Sequence, residues 1–529
     1  MKKHPAIIIL LTVIVLQMVI LVLFFGKEKN RIILPEKYLY DFTESDFDAA
    51  TFKARRDTFS DLLDGGIMVI THRAGDDFRY LTGFDEGNSA AILIPGNEMP
   101  FIMAVEPFNL YAAQWTGVLY GLEGAVEKFG ADEAFDIENL TNKLAELLKT
   151  ANKLYIHSRD RELRAEIQEL IRKSNRKIEL QYLDSVVHEM RVVKDDWEIA
   201  QIRQAVNVTA LAHQRVWATV LPGQKEFEVQ AELEYVFRKN GLGVGFSPIT
   251  GSGPNATILH HFKNDREIKP GELLLVDIGA QSRAGYVADI TRTVPVNGEF
   301  SEVQRTIYEL VLKAFDEGIK QFAPGNKILD PSHKATRVLV DGLYSLGLIP
   351  DTTVWWQKRF YILYRKVHYI GMHVHDVGIY GDFDPTNRDG HILTPELRGR
   401  DLVPGMVFAY EPGLYFMEGK LDHIHELFGH LATEEELNDF VEQVRPVYQK
   451  FEGIGVRIED AVLLTEDGHE VLSAHLPRTA DEIEKIFSEL KCKGGAPTGV
   501  GKTIEFWILI AASVVSIILI LLLFFRFFR

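Results

Sequence analysis

Asp277 and Asp289 stand on either side of a short turn in VDIGAQSRAGYVADITRTVP, and an apolar run over residues 273–276 leads into the first. Two carboxylates at facing strand ends can hold a hard cation. Three further donors stand in apolar settings: His368 in KVHYIGMHVHDVG, Glu411 in GMVFAYEPGLY and Glu459 in GIGVRIEDAV. Four carboxylates and one imidazole suffice to hold two divalent ions and to activate a water between them. A donor set rich in oxygen, with one histidine and no cysteine, favours Mn²⁺ or Co²⁺ over a thiolate-type zinc site. Arg457 lies two residues before Glu459 and so shares its strand face, where it can orient ligand carboxylates.

These donors need rigid elements beneath them. LLLVDIGA and YVADITRTVPV read as two strands joined by a turn over 281–285. Asp195 and Asp196 supply cap chemistry for a long helix that ends before Pro222-Gly223. Ser301-x-x-Gln304 is a capping box, and it opens a helix whose apolar face carries Val303, Ile307, Leu310, Val311, Ala314 and Phe315. Upstream, 66–70 and 90–95 read as buried strands, 137–151 as a helix, 154–157 as a strand and 161–174 as another helix. Strands alternating with helices predict an α/β domain there. Residues 433–445 read as a surface helix.

The chain has 529 residues, too many for one ordinary domain. Its formal charge of −17 gives no basic patch of the kind a nucleic-acid binder shows. The single cysteine, Cys492, excludes an intrachain disulfide and a cysteine-rich metal site. Both ends are strongly apolar: residues 5–25 and 506–525 each read as a membrane span. That predicts a two-pass membrane protein. Basic residues flank both spans about equally, and Lys2-Lys3 before a long apolar run reads as a signal anchor, placing the middle of the chain on the extracytoplasmic side. Two other motifs fail. His425 and His430 are five apart, so they do not share a helix face as a zincin pair does. GVGKT lacks the first glycine of a P-loop, since Ala496 stands there.

The motifs ILHHFKND, LLLVDIGA, YVADITRTVPVNG, HYIGMHVHDVG, GMVFAYEPGLY and GIGVRIEDAVL, with VVHEMR and DDFRYLTGF upstream, resemble the aminopeptidase P and prolidase branch of the "pita-bread" metallopeptidases. The likeness runs in order from about residue 55 to 485. It implies an α+β fold: a pita-bread catalytic domain over 186–488, a smaller α/β domain over 31–185, and a tether over 489–505, with the spans 5–25 and 506–525 outside. It also implies a dinuclear, Mn²⁺-type site (Co²⁺ or Zn²⁺ being alternatives). In that site Asp277 binds one ion, Asp289 and Glu459 bridge, and His368 and Glu411 bind the other. Glu411 would double as general base toward a metal-bridging hydroxide. His375 would stabilise the tetrahedral intermediate, His260 would contact substrate beside the scissile bond, and Arg457 would support the ligands.

By the same resemblance the substrates are proline-containing peptides, cut after the first residue. A dipeptidase and a non-catalytic relative are the alternatives. Asp77 and Trp115 correspond to positions that close the substrate cleft, in places across a subunit boundary, so a homo-oligomer is expected; Trp115 reads equally as a core residue. His261 and His373 are read as structural. One departure stands out: relatives commonly carry a second histidine four residues before the ligand, where this chain has Tyr364-Arg365-Lys366-Val367-His368. Basic side chains there would narrow the leaving-group side or meet a substrate carboxylate.

Overall fold

Seventeen short strands and the helices between them are described by a computed structural model that covers residues 47–63, 65–381 and 397–493. The chain divides into two units, 36–483 and a second made of 1–35 with 484–529. Everything that follows lies in the first. Of the second, only the end of the helix Ala480–Lys493 is described, so the expected tether starts within a helix.

The amino-terminal strands are β1 (Ile67–Thr71), β2 (Ala90–Leu93), β3 (Phe101–Val105), β4 (Glu133–Asp136), β5 (Lys153–Ile156) and β6 (Glu179–Tyr182). They form one mixed sheet in the order β4-β3-β2-β1-β5-β6. β1-β2 and β2-β3 pair antiparallel, whereas the helix-bearing crossover from β5 to β6 gives a parallel pair. Ile67, Val69, Ile92, Ile102 and Ile156 on the sheet pack against Leu144 of the helix Leu140–Leu147, its cap Leu148, and Leu163 and Ile167 of the helix Arg161–Ser174.

The helix Asp184–Val192 leads to Asp196–Thr219, which opens with an Asp195–Glu198 capping box. Beyond it lie β7 (Gly243–Val244), β8 (Ile249–Ser252), β9 (Leu273–Ile278), β10 (Ala280–Gln281) and β11 (Ile290–Pro295). Then come β12 (Val367–Tyr369), β13 (Val407–Tyr410), β14 (Gly413–Tyr415), β15 (Gly455–Arg457), β16 (Asp460–Thr465) and β17 (Gly468–Val471). The working sheets are β11-β9-β8, β12-β13-β16-β17 and the pair β14-β15. Paired helices cover them: Asp196–Thr219 packs on Glu226–Lys239, and Glu302–Ile319 on Asp330–Ser345. The Ser301 capping box is present. Ile307, Val311, Ala314 and Phe315 are buried, but Val303 in the first turn is exposed. The expected surface helix runs Glu434–Tyr448 and buries Leu437, Phe440 and Val444.

One glycine decides whether the β9–β11 hairpin can close. A Cβ on Gly279 would meet Ala288 O at 1.8 Å, and that atom is backbone and cannot swing away. Gly279→Ala is expected to destabilise the protein by about 1–3 kcal/mol, the range for overpacking. A thermal melt equal to wild type would show that the hairpin tolerates the methyl group.

The membrane architecture requires correction. Among the described residues no helix is long and apolar enough to cross a membrane. The longest, Asp196–Thr219, interleaves Glu198, Arg203 and Arg215 with its apolar positions. The expected spans at 5–25 and 506–525 lie outside the described residues. The fold described is the α+β body; the finding gives no support to flanking spans, and the two-pass, extracytoplasmic placement is withdrawn with them.

Candidate metal centre

β9 and β11 pair in antiparallel register, with Asp277 opposite Thr291 and Ile278 opposite Ile290. Asp289 directly precedes β11, so both aspartates emerge at one end of the hairpin. In the second sheet, His368 on β12 lies opposite Ala409 on β13, and Tyr410 lies opposite Asp460 on β16. Glu411 and Glu459 therefore sit just past the paired ends of β13 and β16. The Glu459 amide donates to Thr291 O at 3.2 Å, joining the two sheets where the candidate side chains converge.

His368 shows what this convergence is for. Its Nδ1 lies 3.2 Å from Tyr369 O, which accepts only from a protonated nitrogen. The Nε2 lone pair then faces outward, 3.5 Å from Asp289 Oδ2, 3.7 Å from Glu411 Oε1 and 3.8 Å from Glu459 Oε1. These gaps are too long for hydrogen bonds. Asp277 Oδ1 and Asp289 Oδ1 are buried with no hydrogen-bond partner among the described residues. Lone pairs and orphaned oxygens aimed at one another without hydrogens between them fit a cation.

The electrostatics agree. Burial, then the charge of its carboxylate neighbours, raises Asp289 well above the usual carboxylate range, and burial does the same for Glu459. Burial lifts Glu411 to about 8, against the opposing charge of Arg457. Burial, reinforced by His375, pushes His368 down to about 3, so its imidazole is neutral as a metal ligand must be.

Arg457 holds the cluster from behind. Its guanidinium pairs with Asp277 Oδ2, donates to Thr291 Oγ1 at 3.0 Å and donates to Tyr415 Oη at 3.0 Å. Thr291 Oγ1 in turn donates to Glu459 Oε2 at 2.6 Å. Arg292, fully buried on the opposite face of β11, donates to Glu459 O at 2.8 Å and to Asp460 Oδ1 at 2.7 Å, fixing the backbone beneath the glutamate. Thr291 and Tyr415 are absent from the sequence-based set. Thr291 was within reach, since it follows Asp289 by two residues and shares its face. Tyr415 reaches Arg457 only through the β14–β15 pairing, for which the sequence carries no signal.

His375 stacks edge-on against His368, with ring centroids 4.5 Å apart, and remains exposed. Burial and then the charge of His260 lower its pKa. His260 is also exposed and stacks on Phe262. The structural histidines behave as expected: His261 bonds Glu226 at 2.9 Å, and His373 pairs with Asp76 at 3.0 Å. His425 faces Asn438 Oδ1 at 3.0 Å.

Three expectations change. Asp77 does not line a cleft; it is buried among His157, His188 and Arg191. Trp115 is not a core residue, being 75% exposed beside exposed Phe108, Leu110, Tyr111 and Val118. Lys366 does not reach toward substrate: it is buried, its Nζ donates to Tyr364 O at 3.2 Å, and burial pushes its pKa down to about 7. Tyr364, at the position where relatives commonly carry a histidine, donates its hydroxyl to Glu411 O at 2.9 Å.

Known proteins resemble this chain in sequence and in fold. The description "Metallopeptidase family M24" matches residues 200–466, and "Aminopeptidase P, N-terminal domain" matches 53–157. The chain is 32% identical over 432 residues to the Xaa-Pro aminopeptidase of Escherichia coli (strain K12), covering 78% of this chain and 89% of that one. It is 33% identical over 422 residues to the Xaa-Pro aminopeptidase of Haemophilus influenzae, covering 78% and 87%. Among solved structures, the Pseudomonas aeruginosa aminopeptidase PepP superposes with a TM-score of 0.72 at 32% identity, covering 84% of this chain and 99% of that one.

Proposed function

Because the chain belongs to metallopeptidase family M24 and carries an aminopeptidase P amino-terminal domain, we propose that it is a divalent-metal exopeptidase that hydrolyses the N-terminal Xaa-Pro bond of peptides. The observation that carries this reading is the His368 Nε2 lone pair facing oxygens of Asp289, Glu411 and Glu459 at 3.5–3.8 Å. In this reading residues 186–488 perform the chemistry and 31–185 form the amino-terminal α/β domain.

Asp277, Asp289, His368, Glu411 and Glu459 would hold two divalent ions, Mn²⁺ by preference for the oxygen-rich set. When bound, such ions polarise the scissile carbonyl and lower the pKa of a water at the site. Glu411 takes the proton that the attacking water loses and passes it to the proline nitrogen as the C–N bond breaks. His375, against His368, donates a hydrogen bond to the oxygen that gains charge, and His260 contacts the substrate beside the scissile bond. Arg457 and Thr291 keep Asp277 and Glu459 in place. The Xaa-Pro bond calls for such a dedicated site, since proline has a fixed φ and no N–H for a general peptidase to grip.

The substrate reading is tested with an Xaa-Pro-Xaa tripeptide against the matching Xaa-Pro dipeptide. Turnover of the tripeptide with release of the first amino acid is expected. Turnover of the dipeptide alone would make the protein a prolidase. Exposed Leu110, Tyr111 and Trp115 on one short helix also support a homo-oligomer, since such a stripe is costly to leave in water. Light scattering should give a mass above the monomer for the wild type and a shift toward monomer for Leu110→Asp. A wild-type monomer would remove this reading.

A further inference from the structure

The upstream motifs DDFRYLTGF and VVHEMR have no part in the reaction as described, yet the structure joins them to the loop that carries His375. Asp77, near the start of the helix Asp76–Thr82, accepts from Arg191 Nη1 at 2.6 Å, and Arg191 Nη2 donates to Asp376 Oδ1 at 2.5 Å. Asp376 directly follows His375. All three are buried, at 3%, 3% and 6% exposure. Lys194 Nζ approaches Asp376 Oδ2 at 3.4 Å from the other side. A second link runs from the same helix start, where Asp76 pairs with His373 at 3.0 Å. The amino-terminal domain therefore reaches residues 373–376 on both sides of His375, at His373 directly through Asp76 and at Asp376 through Arg191, which Asp77 anchors.

Asp77, His157 and His188 lie close enough together to suggest a metal site, but their hydrogens exclude one. His157 Nδ1 accepts the Arg159 amide at 3.2 Å, so its Nε2 carries the proton that points at Asp77 Oδ2, 2.9 Å away. His188 Nε2 meets the same oxygen at 3.0 Å, and Arg191 takes the other. Asp77 is the anchor of a hydrogen-bond network. The far end of the network is equally set: a Cβ on Gly371 would lie 2.1 Å from Asp376 Oδ2, so that glycine leaves room for the carboxylate. The Asp376 amide also donates to Tyr369 O at 3.0 Å, which ties the loop to the strand bearing His368.

We infer that Arg191, anchored by Asp77 and holding Asp376, is a positioning residue that aims His375 at the reacting carbonyl, and that the amino-terminal domain takes part in catalysis through it. The inference rests on the exopeptidase reading for its kinetic consequence but not for its structural one. A misplacement of about 1 Å far from the chemistry can cost about 10²-fold in rate. Arg191→Met is accordingly expected to lower kcat by about that factor with KM little changed. Adding His375→Ala to it should cost little more than His375→Ala alone, because both remove one function. Arg191→Lys should recover little, since an ammonium cannot span two carboxylates as a guanidinium does.

Hydrogen exchange supplies a readout independent of activity: the Asp376 amide should lose protection in Arg191→Met and in Asp376→Asn, the second covering the case in which the first fails to fold. Independent, additive losses in the double variant, or unchanged Asp376 protection, would overturn the inference. A wild type that hydrolyses no Xaa-Pro peptide would sink the exopeptidase reading instead, and the exchange experiment would still decide the clamp.

Discussion

Glu411→Gln is expected to lower kcat on an Xaa-Pro tripeptide by about 10²–10⁴-fold, the range for loss of a general acid–base group, while the protein stays folded. The two halves of this expectation come from one feature. Glu411 lies beside His368 among other carboxylates, and burial lifts it to about 8. Metal-free protein at pH 7 therefore already holds Glu411 mostly protonated. A neutral glutamine of the same shape replaces that form at little cost, and a thermal melt of the metal-free variant at pH 7 should lie close to wild type. What glutamine cannot do is accept a proton from water or present a charged oxygen to a cation. Wild-type turnover in Glu411→Gln would remove the residue from the base role. A large loss of stability without metal would instead mean that the carboxyl holds the fold together.

Chelation should abolish hydrolysis, and a divalent cation, Mn²⁺ first among them, should restore it. Hydrolysis that survives exhaustive chelation would falsify the metal mechanism. The same cluster predicts a pH dependence with a definite sign. A carboxyl raised from 4.5 to about 8 adds stability that is fully present below 4.5 and is lost as pH rises through 8. Other buried groups titrate nearby: Lys366 is pushed down to about 7 and His368 to about 3. The clean measurement is therefore a difference. Relative to metal-free Glu411→Gln, metal-free wild type should lose stability as pH climbs from 4.5 through 8. Saturating metal should cancel that loss by displacing the protons, so calorimetry should detect proton release on binding. A pH-independent difference, or binding without proton release, would contradict the picture of carboxylates that wait for a cation.

Much of the catalytic body was legible beforehand because its signals are local. Apolar runs ending in Asp277 and beginning after Asp289 mark two strands whatever surrounds them. The Asp195 and Ser301 caps are complete within four residues. The ligand types stood in motifs specific enough to name a family, and the fold gathers them. Other features were illegible for physical reasons. Asp77 sits in a motif shared with relatives, yet its role depends on partners 80 to 114 residues away. A basic residue is ordinarily exposed, and only the packing just before β12 turns Lys366 inward to the Tyr364 carbonyl. Trp115 could have been core or surface, since an aromatic residue alone does not say which.

What the sequence by itself determined is chemical: which side chains could bind a hard cation, and which short elements would carry them. What only the tertiary structure decided is who faces whom: the His368 lone pair aimed at three carboxylates, Thr291 and Tyr415 around Arg457, and Arg191 joining one domain to the His375 loop. Strand and helix signals arise from neighbours along the chain, where each residue's propensity acts alone. Charges and lone pairs interact through space, and their partners are set only when distant segments pack.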